Sequence, residues 1–486
     1  MDFTLRWLYK LEWKSPDELP SHLKNFVAEV CRKKRIKFPK FGIINDGAPQ
    51  AFTYGHTPQN ARIVISRGIL ELLDEGEIEA VVTHEIGHAV HWDMLLMTVA
   101  NMVPLILYYI YRRLIESKSE GKGIYVAIGA YILYIISQYV VLWFSRTREY
   151  HADRFSGEMT GNPSLIASAL VKIAYGLAGG DEKDEEDRSS ELEAISAMGI
   201  FDSGAARSLA IAGASNNFNE VAPKEVKNKV NKDRLKGAMR WDLWNPWAKW
   251  YELNSTHPLV ANRLRYLSDQ AVHMGKEPYI VFDDVQPESY WDEFFVDFII
   301  NTIPALIIIV SVICYIVQPF FFPNADFTFL FGPIIFILGL ALLFRFSFTY
   351  RGNSFIPLPI ATLLKQVKVS AVRPVPCRIK GKIIGRGVPG YIFSEDFVIQ
   401  DKTGIIFLDY RQPLAIFEFL FSILRAKDFH DEDVVVEGWY RRSPVPFVEI
   451  KNIVSSGRKS KSYCPILYKI VAISTTILGV MLTFFI

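Results

Sequence analysis

Five long apolar runs constrain what this chain can fold into more than any other feature of its sequence. A bilayer core of about 30 Å is crossed by about 20 apolar helical residues, so each run predicts a membrane-spanning helix, with the last and shortest run the marginal case. Half of the 486 residues are hydrophobic and the net charge is only +2, which indicates several domains and no general affinity for nucleic acid. The runs are Met94–Tyr111, Gly123–Phe144, Phe294–Val317, Phe327–Phe344 and Ile470–Ile486.

The sequence HEIGH lies just before the first apolar run. A helix places His84 and His88 on one face because they are four residues apart, and it places Glu85 beside them. Zinc prefers imidazole nitrogens in a roughly tetrahedral shell, so the pattern predicts two ligands of a zinc site with a base at hand. The alternative is a chance match, in which two polar histidines lie on the surface of a helix.

We expect this helix to continue without a break into the first membrane run. His91 lies on the same face, but the helical rise places it about 10 Å along the axis from His84, too far for both to bind one ion. His91 is therefore interpreted as a histidine at the membrane surface.

The sequence SRTREYHAD, at residues 145–153, follows the second apolar run directly. The first two runs form a hairpin, so this sequence and the HEIGH helix lie at the same membrane face. Glu149 is then the candidate third ligand, and Asp153, one turn later, a carboxylate that orients a ligand imidazole. His151 points elsewhere, being two residues from Glu149. The alternative is a solvated charge cluster, neutralised by nearby arginines: Arg146, Arg148 and Arg154.

Short strands precede the HEIGH helix, at Phe41–Gly47, Gln50–Gly55 and Ala61–Ser66. Residues Arg62–Ser66 are expected to form an edge strand that pairs with an extended peptide, or else only to pack against the helix. Far downstream, His257 precedes a proline, and Arg263 follows at the start of a predicted helix. With a zinc site on the same side, His257 becomes a candidate donor to an oxyanion.

The C-terminal part alternates polar and apolar residues in short strands that predict a small OB-like β-barrel. It lacks a strongly basic stripe interleaved with aromatic residues, so we expect a structural role or a protein partner rather than nucleic acid. The predicted strands are Arg378–Ile384, Phe397–Gln400, Gly404–Leu408, Asp433–Glu437 and Phe447–Ile453, with turns at Gly385–Gly390 and Lys402–Gly404.

The distribution of basic residues predicts that the zinc site faces the cytoplasm. The loop 318–326 contains no Lys or Arg, whereas the segments on the opposite side of the membrane carry several, which places that opposite side in the cytoplasm. The basic loop 112–122 favours the reverse orientation. The first twelve residues lack the pattern of a signal peptide. The acidic tract 179–191 is interpreted as a surface loop. The basic residues on the opposite side include Arg345, Arg351, Lys365 and Lys368.

At HEIGH, SRTREYHAD and STHPLVANR the chain resembles the HtpX-type membrane metalloproteases, which are related to the CAAX prenyl proteases. The resemblance spans Phe41–Leu267 and implies one catalytic zinc ion. By position it implies zinc ligands at His84, His88 and Glu149, and a base at Glu85. It also implies a supporting acid at Asp153, with His257 and Arg263 as the transition-state and site-organising residues. Two departures are expected: the sequence shows no leading membrane hairpin, with which bacterial HtpX-type enzymes usually begin, and it reads Gln50-Ala51-Phe52 where Asn-Ala-Phe is usual in the family.

Together these features predict an α+β membrane protein: a helical, zincin-like protease domain with a small sheet, about five membrane helices and an OB-like barrel. The resemblance implies a zinc endopeptidase that cuts membrane or misfolded proteins at the cytoplasmic face of the cell membrane, in protein quality control. The alternatives are a prenyl-protein processing protease and a scaffold with a vestigial site. The predicted parts are 1–93, the soluble part with the sheet and HEIGH helix; 94–144, a membrane hairpin; 145–293, the second half of the protease domain; 294–346, a membrane pair; 355–460, the β domain; and 464–486, a last membrane helix.

Overall fold

A computed structural model of the chain groups its residues into two compact units. Unit one comprises Met1–Leu243 and Ala248–Asp284, and unit two comprises Trp244–Trp247 and Val285–Ile486. The predictions for the acidic tract 179–191, the turn residues 387–390, and the loop residues 117–121 and 322–326 fall outside the described residues. The structure describes residues 11–44, 50–116, 122–178, 232–282, 285–286, 288–321, 328–352, 354–386, 397–414, 416–418, 421, 429, 432–443, 445–455 and 458–485.

Unit one begins with a four-stranded sheet in the order β1-β2-β4-β3. Strands β2 and β4 are parallel, and the other two pairs are antiparallel. The prediction that Arg62–Ser66 is an edge strand is wrong, because β4 lies between β2 and β3 and is buried along most of its length. Strand β3 forms that edge instead. The strands are β1 (Glu12–Lys14), β2 (Lys40–Ile44), β3 (Ala51–Tyr54) and β4 (Arg62–Ser66).

Nine α-helices are described in the chain before residue 274. Helices α3 and α5 cross closely: Ser156 Oγ donates a hydrogen bond to Ala80 O at 2.6 Å, and a Cβ on Gly87 would lie 3.3 Å from the Ala152 Cα. Only a residue without a side chain allows this approach without displacing its neighbours. The helices are α1 (Ser21–Lys34), α2 (Arg67–Leu72), α3 (Glu75–Val90), α4 (Asp93–Glu116), α5 (Lys122–Thr160), α6 (Pro163–Ala178), α7 (Lys232–Trp244), α8 (Pro246–Leu253) and α9 (Val260–His273).

The predicted unbroken helix through HEIGH into the membrane run is wrong. Helix α3 ends at Val90 and α4 begins at Asp93. Between them Trp92 adopts φ +61°, a left-handed conformation that large side chains rarely adopt. The chain therefore changes direction at the point where it enters the apolar segment.

Five described helices are long and apolar enough to cross a membrane, which confirms the five apolar runs as helices. Two of these helices, α4 and α5, belong to unit one. Most of their apolar side chains are exposed, as expected for segments surrounded by a bilayer. The other three belong to unit two: α10 (Trp291–Phe321), α11 (Phe331–Thr349) and α13 (Cys464–Phe485).

Unit two also contains the predicted β-barrel, and its closure is confirmed. The ring of five strands runs β6-β7-β8-β10-β9 and returns to β6, with the β8–β10 pair parallel and the other pairs antiparallel. Ile379, Ile399, Val436 and Ile450 are buried in its core. The elements are β5 (Ile356–Pro357), α12 (Ile360–Leu364), β6 (Val375–Arg386), β7 (Phe397–Gln400), β8 (Ile405–Asp409), β9 (Asp433–Arg442), β10 (Pro446–Ser455) and β11 (Arg458–Lys461).

Candidate metal centre

Helix α3 is fixed at its start by a partly buried polar network, in which Glu77 and Lys172 are buried and Asp74 is exposed. Asp74 and Glu77 form a capping box, in which the Asp74 backbone N–H donates to Glu77 Oε2 at 2.9 Å. Lys172 on α6 donates to Glu77 at 2.8 Å and to Asp74 at 2.9 Å, and Ser168 donates to Glu77 at 2.7 Å. The helix that carries HEIGH is therefore held in position two turns before the site.

Three side chains from α3 and α5 converge in the interior of unit one. The Nε2 atoms of His84 and His88 are 3.2 Å apart, and each lies 3.6 Å from a carboxylate oxygen of Glu149. His84 and Glu149 are buried and His88 is half-buried. Among the described residues they form the group of His, Cys, Asp and Glu side chains that could hold a metal ion.

The spacing of these three donors fits a tetrahedral ion. Two donor atoms at about 2.0–2.1 Å from a tetrahedral zinc ion are about 3.3–3.4 Å apart, close to the separations found between the imidazole and carboxylate atoms. In addition, Glu149 Oε2 is buried without a hydrogen-bond partner. Because buried polar atoms normally have a hydrogen-bond partner, this oxygen fits the role of a metal ligand.

Asp153 and Arg263 lie behind the first imidazole. Asp153 Oδ1 is 3.0 Å from His84 Nδ1, the nitrogen that faces away from the candidate metal position. Arg263 holds Asp153 from the other side through two hydrogen bonds, from Nε at 2.8 Å and from Nη2 at 2.6 Å. All three side chains are almost fully buried, so the arrangement fixes the orientation of the His84 ring.

Asp93 supports the second imidazole in the same way, and sequence reasoning missed it. Its Oδ2 lies 2.7 Å from His88 Nδ1, and Asp93 is buried. On an unbroken helix, residues five apart point about 140° away from each other, so Asp93 reaches His88 only because the chain turns at Trp92. The sequence signal that could have identified it is an aspartate directly before an apolar run.

His257 borders the same cluster. Its Nδ1 is 3.5 Å from Glu149 Oε2, and both ring nitrogens are buried without a hydrogen-bond partner. Two side chains hold the turn that carries it. Arg146 donates to the carbonyls of Glu252, Leu253 and Ser255 at 2.7, 3.2 and 2.8 Å, and the Glu252 carboxylate accepts from the Leu259 N–H at 3.1 Å.

Glu85 is buried next to His84 on α3, and its backbone carbonyl accepts a hydrogen bond from Thr53 Oγ1 at 3.1 Å. Thr53 is on the edge strand β3. The residue predicted to act as a base therefore lies where the helix with the two histidines contacts the edge of the sheet.

The charge-cluster alternative does not describe the arginines of α5. Arg146 contacts backbone carbonyls, Arg148 donates to Ser145 Oγ at 3.1 Å, and Arg154 pairs with Glu158 at 2.7 Å. The charge partner of Asp153 and Glu149 is instead Arg263, whose Nη1 is 3.7 Å from Glu149 Oε2. The His151 ring is exposed and lies beside His91, with ring centroids 6.1 Å apart, rather than in the cluster.

Burial and charge act in opposite directions on the titration of this cluster. Burial would raise the pKa of Glu149, but the facing imidazoles of His257, His84 and His88 bring that pKa well below its usual value. Burial would lower the pKa of His84, but the Asp153 and Glu149 carboxylates raise it to about 9 in the metal-free protein. A metal ion would therefore compete with a proton for His84.

Comparison with known proteins identifies the family. The model of peptidase family M48 matches residues 19–271, just over half of the chain and all of the candidate site. This chain is a member of peptidase family M48. The barrel and the last three membrane helices lie outside the matched region.

Individual M48 relatives agree with this assignment. The chain is 41% identical over 178 residues to a protease HtpX homolog of Methanothermobacter thermautotrophicus, covering 37% of this chain and 67% of the relative. It is 29% identical over 290 residues to a protease HtpX homolog of Aeropyrum pernix, covering 56% of this chain and 84% of the relative. It is 27% identical over 207 residues to the protease HtpX of Legionella pneumophila, covering 40% and 71%. No solved structure matches the chain. The protein is thus an HtpX-type membrane metalloprotease.

Proposed function

We propose that this M48 protease is a zinc endopeptidase that hydrolyses membrane or misfolded proteins at the cytoplasmic face of the cell membrane, as part of protein quality control. The observation that carries the proposal is the buried convergence of His84, His88 and Glu149, with a carboxylate behind each imidazole. We assign zinc to this set because two imidazoles and a carboxylate are the donors of a catalytic zinc site, and their spacing fits that ion.

The residues around the site then have distinct roles. Zinc, when bound, would supply a Lewis acid that activates water and polarises the scissile carbonyl. Glu85 would take the proton from the attacking water and deliver it to the leaving amine. His257, whose ring nitrogens have no hydrogen-bond partner among the described residues, would donate to the oxyanion. Arg263 would keep Asp153 ionised and in place.

We propose that the substrate backbone pairs with β3 rather than with β4. Strand β3 pairs with β4 along one side only among the described residues, and Thr53 on β3 contacts the backbone of Glu85. An extended peptide added to this edge would run past the candidate base, with main-chain hydrogen bonds supplying affinity that depends little on sequence.

We also assign the finer architecture. We propose that unit one is a zincin-like protease domain, which its sheet and paired helices support, and that the barrel is OB-like, which its closed ring β6-β7-β8-β10-β9 supports. We also propose the division into parts at 1–93, 94–144, 145–293, 294–346, 355–460 and 464–486. The OB-like domain is assigned a protein partner.

Glu85→Gln tests the proposed chemistry. The purified variant in lipid should keep zinc and cleave an unfolded membrane protein about 10²- to 10⁴-fold more slowly, because only the base is lost. Glu79→Gln, on the same helix, is the matched control and should cleave normally. Undiminished cleavage by Glu85→Gln would exclude the proposed chemistry. If the wild type cleaves a C-terminally prenylated peptide in preference to the unfolded membrane protein, the substrate class is prenylated proteins instead.

The cytoplasmic face needs its own experiment. Basic residues flank α11 on its C-terminal side, which favours that side being cytoplasmic. A cysteine in place of exposed Glu158 should react with a membrane-impermeant maleimide only after cells are opened. Labelling of intact cells would reverse the orientation.

A further inference from the structure

Three apolar side chains that follow strand β8 of the barrel are exposed among the described residues of unit two. Leu414, Ile416 and Phe417 are 57%, 57% and 51% exposed, respectively. The stretch 414–421 contains one charged residue, Glu418. Contiguous exposed apolar side chains of this kind mark contacts with protein or membrane.

We propose that these three residues, together with Lys461 on β11, form a surface that lies in the headgroup region of an anionic phospholipid bilayer. We name it the lipid-facing surface. The proposal rests on the barrel and α13 alone and is independent of the proposed catalytic chemistry.

The segment is anchored, so its exposed residues are not simply unfolded core. Phe421 is buried and stacks on Tyr410 with ring centroids 4.0 Å apart. Glu418 Oε1 accepts the Gln412 N–H at 2.8 Å, and Leu414 O accepts the Phe417 N–H at 2.9 Å. Among the described residues of this stretch, Phe421 therefore packs in the core while the other three apolar side chains remain outside it, and the Glu418 carboxylate accepts a backbone N–H.

Hydrogen bonds place this segment at the level where α13 enters the membrane. Gln412 Nε2 donates to Lys461 O at 2.9 Å, and Ser462 Oγ donates to Arg411 O at 2.6 Å. Helix α13 begins at Cys464, directly after these partners. Leu414 is two residues from Gln412, a distance of at most about 7 Å along the chain. The apolar residues therefore lie close to the start of a membrane-spanning helix.

The charges beside this surface favour anionic lipid. Lys459 and Lys461 are exposed on β11, and the Lys461 Nζ lies 5.9 Å from the ring of Tyr463, itself 55% exposed. The nearby Asp409 is paired with Arg411 at 2.6 Å. Apolar side chains with lysines and a tyrosine beside them match the acyl and headgroup layers of an anionic leaflet.

Continuity with a membrane helix distinguishes lipid from the other possible occupants. A partner protein or a second copy of this chain that covered these residues would have to displace the lipid around the nearby start of α13. Lipid needs no such displacement, because the same leaflet already surrounds that helix.

Spin labelling of the full-length protein in nanodiscs tests the proposal. Only Cys314 needs replacement first, because Cys31, Cys377 and Cys464 are buried. A nitroxide at Ile416→Cys should collide more with oxygen than with a polar nickel complex in discs of equal phosphatidylcholine and phosphatidylglycerol. The same label at Lys380→Cys, on an exposed position of β6, should show the opposite preference.

The lysine contribution has a matched control pair. Lys461→Gln should lower the ratio of immersed to water-exposed label at residue 416 about fivefold in the anionic discs, and Lys380→Gln should leave it unchanged. In phosphatidylcholine alone the two variants should behave alike.

Two results would overturn the proposal. A label at residue 416 that collides mainly with the nickel complex would mean that the surface faces water. A label shielded from both reagents would mean that protein covers it. Leu414→Cys and Phe417→Cys provide the same readout if the Ile416 variant does not fold.

Discussion

Two aspartates support the two candidate imidazole ligands, one behind each ring. Asp153 faces His84 Nδ1 at 3.0 Å, and Asp93 faces His88 Nδ1 at 2.7 Å. A carboxylate at the distal nitrogen fixes the imidazole tautomer and orientation and makes the other nitrogen a better donor. We therefore expect both aspartates to contribute to metal affinity although neither is placed to bind the ion.

Asp93→Asn should weaken zinc binding about 10- to 100-fold, because the amide no longer carries the charge that holds the His88 tautomer. Titration against a competing chelator measures this directly. Asp269→Asn, at an exposed position on α9, is the control and should bind zinc as the wild type does. Wild-type affinity in Asp93→Asn would mean that its contact with His88 is incidental.

Asp153→Asn should show a similar loss in zinc affinity or activity and should also destabilise the protein, because it removes a charge partner of buried Arg263. His151→Ala should be nearly silent, since its ring is exposed beside His91. Zinc titration and thermal melting of the two variants provide the comparison. A zinc-free His151→Ala protein would overturn the ligand assignment.

The geometry of α3 and α5 shows how far spacing alone predicts a site. His84/His88 and Glu149/Asp153 are pairs four residues apart, so helical geometry places each pair on one face whatever surrounds it. The turn at Trp92 and the return of Asp93 to His88 have no such signature, because a left-handed tryptophan is set by tertiary packing. The strand order could not be predicted for the same reason. Strands β3 and β4 are both apolar, and β4 is the inner strand only because it also pairs with β2.

The polar network at the start of α3 is expected to hold the helix in place. Lys172→Met would leave Glu77 buried without its charge partner, at a cost of about 3–5 kcal/mol, whereas Lys172→Met with Glu77→Gln should cost less. Melting in detergent measures both, with exposed Lys276→Met as control. An unchanged melting temperature in Lys172→Met would refute this role.

The same network has a defined pH dependence. Burial would lower the pKa of Lys172, but hydrogen bonds to Glu77 and Asp74 raise it above the ordinary value. Its stabilising contribution is therefore complete below about pH 10.4, the pKa of an unfolded-chain lysine, and is lost as the pH rises through the raised pKa. The difference in melting temperature between wild type and Lys172→Met should stay constant from neutral to mildly alkaline pH.

Helices α11 and α13 pack through small residues, as membrane helices do when their backbones approach closely. A Cβ on Gly339 would overlap the Thr476 backbone, and one on Gly479 would overlap Phe336. Gly339→Leu should therefore destabilise the pair by about 1–3 kcal/mol. Gly129→Leu is the matched control, because nothing lies within 4 Å of a Cβ there. Equal melting temperatures for the two variants would contradict the close packing.

Across the full chain, the sequence was most informative where a single physical rule determines the structure. Long apolar runs form helices in a bilayer because the backbone has no other partner there, and alternating strands close into a barrel that leaves no free edge. The turn that carries His257 depends on Arg146, more than a hundred residues away, and sequence spacing contains no trace of that contact. The lipid-facing surface is similar, since the stretch 414–421 is apolar apart from Glu418, and only the structure shows that Phe421 is buried while Leu414, Ile416 and Phe417 are exposed.

The central claim is that Glu149 completes a catalytic zinc site with His84 and His88. Zinc content and peptidase activity of the full-length protein, measured for wild type, Glu149→Gln and Glu158→Gln after zinc loading, test it most directly. Wild type and Glu158→Gln should retain one zinc per chain and full activity, while Glu149→Gln should lose most of both. Stoichiometric zinc in Glu149→Gln, or active wild-type protein without zinc, would contradict the claim.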